Sequence, residues 1–238
     1  MAKKTKIKTS NLFDAPKTAQ ELKLEGVQNL YNFLFEACNI LRGPVSQDKF
    51  KDYITPILYY KRISDVYDEE TEAALEKSGG DMEYATLPEQ HRFVIPDDCH
   101  WQDVRERTEN LGSAIVGAMR GIELAKPDTL YGVLSMFSAQ KWTDKKNLSD
   151  GKIRDLIEHL STKKLGNRDY PTDLMGDAYE ILLKKFADDS KAKAGEFYTP
   201  RSVVQLLIRI LDPKPGESVY DPACGSGGML IEAVHHMN

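Results

Sequence analysis

Asp221-Pro222-Ala223-Cys224-Gly225-Ser226-Gly227-Gly228-Met229-Leu230 is the stretch on which the reading of this 238-residue chain turns. Glu217-Ser218-Val219-Tyr220 before it reads as a short buried strand, and Met229 to Val234 after it as the first turns of a helix. A strand, a glycine-rich turn and a helix make a cradle for a polar or anionic ligand. The N–H groups of a helix's first turn have no intrahelical partner and carry partial positive charge. A phosphate-binding loop of this kind ends in Gly-Lys-Ser/Thr; here Gly228 is followed by Met229, which excludes it. A dinucleotide fingerprint needs glycine at its first, third and sixth positions. Counted from Gly225, the sixth is Leu230, so that match is poor.

The remaining class of ligand is S-adenosylmethionine. It has no pyrophosphate and asks for close backbone approach instead. Asp221, ending the expected strand, serves the ligand's ammonium directly or through water. Gly225 and Gly227 remove side chains where adenosine and methionine would lie against the backbone. Just upstream, Gly195-Glu196-Phe197-Tyr198-Thr199-Pro200-Arg201 is separated from the cradle by one helix and the turn Asp212-Pro213-Lys214-Pro215-Gly216-Glu217. Pro200 suits the first position of that helix, whose apolar face is Val203, Val204, Leu207, Ile208 and Leu211.

Working outward, residues from about Thr18 to Leu160 read as mainly helical. Leu22, Leu24, Val27, Leu30, Tyr31, Leu34, Phe35 and Cys38 recur at three-to-four spacing until Gly43-Pro44 stops the helix. A second helix from Ser46 carries Phe50, Tyr53, Ile54, Ile57, Leu58, Tyr60, Ile63 and Val66, with Pro56 marking a kink or its first turn. Asp68 to Glu72 reads as an acidic solvated face. Phe93-Val94-Ile95-Pro96 reads as an extended piece, followed by a short helix through Trp101 and Val104 capped by Asp97 or Asp98. Leu111 to Leu124 is rich in small residues that permit close helix contact, and Ser149 or Asp150 caps a helix through Leu160. Pro171-Thr172-Asp173 opens a helix with Leu174, Ala178, Tyr179, Ile181, Leu182 and Phe186 on its apolar face, and Asp188 to Gly195 reads as a loop. The expected division is a basic tail over 1–17, a helical domain over 18–165 and a second domain over 166–238.

Composition narrows the class. Hydrophobic and charged contents of 41% and 29% are those of a soluble globular protein, and no apolar run reaches the roughly 20 residues that span a bilayer. Cys38, Cys99 and Cys224 are odd in number and lack metal-ligand spacing, so they read as reduced thiols of a cytoplasmic protein. His235 and His236 point about 100° apart on a helix and read as surface residues, not a metal pair. A net charge of −5 argues against a whole surface built to grip nucleic acid. It leaves open a subunit whose partners supply much of that contact.

The Thr-Pro segment followed by this glycine-rich loop resembles the amino-methyltransferases of DNA. Two further runs narrow the resemblance: Leu30-Tyr31-Asn32-Phe33-Leu34-Phe35-Glu36-Ala37-Cys38-Asn39-Ile40-Leu41-Arg42-Gly43 and Tyr53-Ile54-Thr55-Pro56-Ile57-Leu58-Tyr59-Tyr60-Lys61-Arg62-Ile63-Ser64-Asp65-Val66-Tyr67. With Ile95-Pro96 and Trp101 after them, the chain looks like the methylase subunit of type I restriction-modification systems from about Thr18 to Gly228. The resemblance implies a mainly α N-terminal helical domain followed by the truncated start of an α/β Rossmann-like S-adenosylmethionine-dependent methyltransferase domain. It implies methylation of adenine N6 in double-stranded DNA, with a specificity subunit and a restriction subunit as partners.

Carried onto this chain, the resemblance makes Glu196, Phe197, Tyr198, Thr199, Pro200 and Arg201 the methionine-side wall. Asp221, Gly225, Ser226, Gly227 and Gly228 form the strand-end loop. Two of these keep a second reading, Phe197 as a packed apolar residue and Arg201 as a solvated helix side chain. In such enzymes the flipped adenine's amine attacks the methyl group directly, so Cys224 is a loop residue and not a nucleophile. The family's Asn/Asp-Pro-Pro-Phe/Tyr loop is absent from these 238 residues, so no catalytic residue and no metal ligand is assigned, and the chain is expected to be inactive alone. An RNA or protein-glutamine substrate, or a non-catalytic role in subunit interaction, are the alternatives. Tyr59, Tyr60 and Tyr67 read either as core or as docking aromatics.

Overall fold

The structure is a computed structural model that describes residues 19–134, 142–145, 148–171, 174–182, 199–224 and 227–238. The chain divides into two compact units, Met1–Ser190 and Lys191–Asn238. Among the described residues both are helical, and no strand is present.

The first unit is built around α1 (Ala19–Leu41) and α2 (Lys51–Ser78). Val27, Leu30, Leu34, Ala37, Cys38 and Leu41 form the buried stripe of α1, whereas Leu22 and Leu24 are exposed on its first turns. Gly43, at φ +104°, lies just past the end of α1, as a residue after a helix must when the chain reverses. α2 begins one turn before Pro56, after a 3-10 turn over Gln47–Lys49, so the proline lies within the helix and not in its first turn. From Tyr53 to Val66 α2 is buried on nearly every side, which makes it the central helix of the unit.

Around α2 stand the short α3 (Met82–Ala85), α4 (Trp101–Glu106), α5 (Leu111–Ala125), α6 (Pro127–Leu130) and α7 (Asp150–Ser161). α7 packs on α1, α4 and α5, and contributes Ile153, Leu156, Ile157 and Leu160 to one continuous core with Trp101, Leu111, Ile115, Ile122 and Trp142. Close approach is real at Gly112, where a Cβ would stand 1.9 Å from the carbonyl oxygen of Trp142. Gly117, read as part of the same small-residue stripe, faces open space. The caps differ from expectation as well. Neither Asp97 nor Asp98 caps α4; Asp103 accepts the N–H of His100 at 2.9 Å. Ser149 caps α7, which frees the Asp150 carboxylate to accept the N–H groups of Asn110 and Leu111 and so to cap α5 across space.

The acidic run on α2 is only partly a solvated face. Glu69 is 9% exposed and accepts the N–H groups of Asn167 and Arg168 at 2.7 and 3.2 Å. Asp65 pairs with Lys61 and accepts the Leu165 N–H at 2.6 Å. Arg62 donates to the carbonyls of Leu165 and Tyr170 at 2.6 and 2.8 Å and to Asn167 Oδ1 at 2.7 Å. Three successive turns of α2 thus satisfy much of the backbone of residues 165–170, a turn whose own backbone bond runs from the Tyr170 N–H to the Gly166 carbonyl at 3.0 Å. A Cβ on Gly166 would fall 2.0 Å from Glu69 Oε1, so this approach demands glycine.

Helical residues 174–182, which the sequence reading puts on the second domain, lie in the core of the first unit. Met175, Ala178 and Leu182 are buried there, Leu174 seats over Gly26 of α1, and the Tyr179 hydroxyl bonds that of Thr55. Tyr60 is fully buried beside Trp101, its hydroxyl 2.8 Å from the His100 carbonyl oxygen. Tyr67 stacks on the buried His91, and Tyr59 alone of the three tyrosines is broadly exposed. No helix of the described residues is long and apolar enough to cross a membrane.

Candidate cofactor site

The second unit consists of α8 (Arg201–Leu211), α9 (Gly228–Met237) and the turns between them. Val204 and Ile208 of α8 pack on Ala233 and Met229 of α9. Two side-chain pairs give the sense of the packing. Arg201, the first residue of α8, lies 3.9 Å from Glu232 in the first half of α9. Asp212, which closes α8, lies 2.9 Å from His236 in the last turn of α9. The helices therefore run in the same sense, and both N-termini fall at one end of the unit.

That end carries the described part of the expected site. Pro200 stands immediately before α8, one position earlier than its expected first-turn place, and its carbonyl accepts the N–H groups of Val203 and Val204 at 2.8 and 3.1 Å. Thr199 precedes it. Gly227 stands immediately before α9 at φ +80°, a left-handed conformation that favours glycine, with its N–H on the Cys224 carbonyl at 2.7 Å. A Cβ on Gly227 or Gly228 would meet nothing within 4 Å. The backbone is thus open on the side that a side chain at either position would occupy. One oxygen of Asp221 accepts the Ala223 N–H at 2.9 Å, which holds the carboxylate at the start of the turn. Glu196, Phe197, Tyr198, Gly225 and Ser226 lie outside the described residues.

One expectation is corrected here. Glu217 to Tyr220 forms no strand among the described residues, and it is exposed, with Tyr220 at 87%. A strand exists only by hydrogen bonding to a neighbour, and no described segment provides one. His236 is an exposed residue, as expected, and it also joins α9 to Asp212. Asp212 itself is held below the usual carboxylate range by its hydrogen bond to Lys214 and then by that to His236. Glu232 escaped the sequence reading altogether. Its one signal is being the only charged residue between Gly225 and Val234 in an otherwise apolar and glycine-rich run.

A unit of packed helices followed by paired helices that begin at a threonine-proline step and a glycine-rich turn defines the class. Residues 30–160 match the family described as the HsdM N-terminal domain, and residues 170–238 match the family described as N-6 DNA methylase. The chain belongs to the HsdM N-terminal domain family, whose match covers more than half of its length. It is similar to the type I restriction enzyme MjaIX methylase subunit of Methanocaldococcus jannaschii, 28% identical over 224 residues, which cover 87% of this chain and 39% of that protein. The EcoKI methylase subunit of Escherichia coli K12 is 28% identical over 214 residues, 84% of this chain and 33% of the relative. The EcoEI methylase subunit of Escherichia coli reaches 50% identity over 64 residues, 27% of this chain and 13% of the relative. The crystal structure of a type I restriction-modification system methyltransferase subunit from Streptococcus thermophilus shares the fold, with a TM-score of 0.63 and 24% identity over 88% of this chain and 50% of that one. The chain thus spans roughly a third to two fifths of the length of the MjaIX and EcoKI subunits.

Proposed function

We propose that this chain is part of the methyltransferase subunit of a type I restriction-modification complex. In this reading the subunit transfers a methyl group from S-adenosylmethionine to adenine N6 within a recognition site on double-stranded DNA. It works with a specificity subunit and, for cleavage, a restriction subunit, in the cytoplasm. The observation that carries the reading is the common end of α8 and α9, where Thr199, Pro200 and Arg201 share one face of the unit with Gly227 and Gly228. The N-6 DNA methylase match over the same residues and the methylase-subunit names of the relatives support it.

In the proposed site Glu196, Phe197, Tyr198, Thr199, Pro200 and Arg201 wall the methionine end of the cofactor. Asp221 takes its ammonium, and Gly225, Ser226, Gly227 and Gly228 offer backbone to the rest. The residues present fit such a ligand. The backbone at Gly227–Gly228 is unobstructed, and two helix starts, each the positive end of a helix dipole, suit a carboxylate. The bound cofactor supplies an electrophilic methyl group; the task of these residues is to hold it still and keep one face open. The catalytic loop that receives the flipped adenine is assigned to residues outside these 238. An α/β Rossmann-like methyltransferase domain is part of this proposal, and in it neighbouring elements would cover the exposed side chains of Val219 and Tyr220. The division at 165/166 is kept as part of this proposal, while the compact units of the fold divide after Ser190. The helical domain is read as the part that organises the complex.

Calorimetric titration with S-adenosylmethionine, on this chain and on the complete subunit, tests the cofactor assignment. Labelled methyl transfer by the assembled complex, with the modified base identified by mass spectrometry, tests the reaction. Methyl on adenine N6 of duplex DNA is the expected outcome. Failure of the complete subunit to bind, or transfer to RNA or to a protein glutamine instead, overturns the reading.

A further inference from the structure

The interface between α8 and α9 is thin. Only Val204, Ile208 and Ala233 are buried in it, with Met229 packed alongside. Small aliphatic contacts of this kind resist separation but set register poorly, because sliding one helix by a residue moves it only about 1.5 Å and trades one apolar contact for another. Register is set better by polar groups, and here those sit at the two ends: an ion pair of Arg201 with Glu232 at 3.9 Å, and a hydrogen bond between Asp212 and His236 at 2.9 Å. The side chains of Arg201 and Glu232 are 32% and 20% exposed, sheltered enough for their attraction to be screened less than that of a surface pair. Register matters at this end more than at the other, since the two halves of the proposed cofactor site are the residues that start the two helices. A displacement of about 1 Å between such halves is enough to lower activity about a hundredfold.

We propose that Glu232 is a positioning residue of the cofactor site. By holding Arg201 it fixes the Thr199-Pro200 step against the Gly227-Gly228 turn; this refines the wall proposed above, in which Arg201 becomes the anchor that places the step and Thr199 and Pro200 the part that meets the cofactor. Asp212 and His236 hold the far end of the same pair of helices. The assignment rests on the S-adenosylmethionine reading of the site, and its test separates the two.

The test uses the whole chain in five forms: wild type, Glu232→Gln, Arg201→Glu, the exchanged pair Arg201→Glu with Glu232→Arg, and Asp212→Asn. Amide hydrogen exchange without cofactor reads the helix pair, and calorimetry reads S-adenosylmethionine affinity. Glu232→Gln, which keeps the side chain's shape, should speed exchange in the first turns of both α8 and α9 and weaken affinity on the order of tenfold or more. Unchanged exchange in α1 to α7 serves as the folding control. The exchanged pair should recover both protection and affinity. Asp212→Asn should loosen the C-terminal turns and leave the N-terminal turns closer to wild type. If Glu232→Gln leaves exchange at residues 227–230 unchanged, the positioning role is wrong. If the exchanged pair recovers protection but not affinity, Arg201 touches the cofactor and the proposal is overturned. If protection follows the expected pattern while neither the wild-type chain nor the complete subunit binds S-adenosylmethionine, the clasp stands and the cofactor reading falls.

Discussion

At the scale of single residues, glycine is informative where a side chain would collide or the backbone turns left-handed, and not elsewhere. Gly112 and Gly117 lie on the same helix five residues apart. Gly112→Ala should destabilise the first unit by about 1–3 kcal/mol, because its methyl would meet a backbone carbonyl that cannot move aside. Gly117→Ala, facing open space, should stabilise it by up to about 1 kcal/mol through helix propensity. Urea unfolding of both variants checks the pair, and equal effects would contradict the packing described. Gly227→Val should abolish S-adenosylmethionine binding, since it places a branched side chain at φ +80° on the bare face of the turn. The exchange protection of α1 to α7 should be untouched. The glycine turn was legible in sequence because its chemistry is local. Glu232 and Glu69 were not, because their roles are set by Arg201 and by Asn167 and Arg168, partners 31 and about 100 residues away.

At the scale of elements, α2 does two jobs that periodicity alone cannot separate. Its apolar positions matched the sequence pattern, from Phe50 through Val66. The polar positions Arg62, Asp65 and Glu69 interrupt that pattern, yet they grip residues 165–170, with Lys61 paired to Asp65 beside them. Arg62→Met should therefore cost far more than a surface arginine. Carbonyls of Leu165 and Tyr170 lose their donor, and each polar group left buried and unpaired costs about 1–3 kcal/mol. Amides of 165–170 should exchange orders of magnitude faster while α5 and α7 keep their protection. Retained protection in that segment would mean that the arginine is dispensable. The strand expected at 217–220 shows the opposite limit, since alternation and apolar content describe a residue's preference but a ladder needs a second strand.

At the scale of the whole molecule, carboxylates set the acid limit. Glu72 is held below its usual range by hydrogen bonds to Lys164 and Arg168, and Glu158 by its hydrogen bond to Arg105. Both are depressed in the folded chain relative to the ordinary value of 4.5. Their contribution is accordingly complete above that pH and is lost as the pH falls below it through the folded values. Melting temperature should stay nearly level from pH 7 to 5 and drop below about 4.5, and Glu72→Gln should make the drop shallower. A profile that falls on the alkaline side instead would contradict the sign.

The grip of α2 on residues 165–170 bears on how subunits of this kind recombine. The two family matches leave a seam between residues 160 and 170, the natural place to exchange one methylase region for another. In this chain the seam is where Arg62, Asp65 and Glu69 find their partners. A crossover there would take the charges from one parent and the backbone that neutralises them from the other. Hybrids should tolerate a junction placed after the helical residues 174–182 better than one placed at 160, so the unit of inheritance is longer than the unit of similarity.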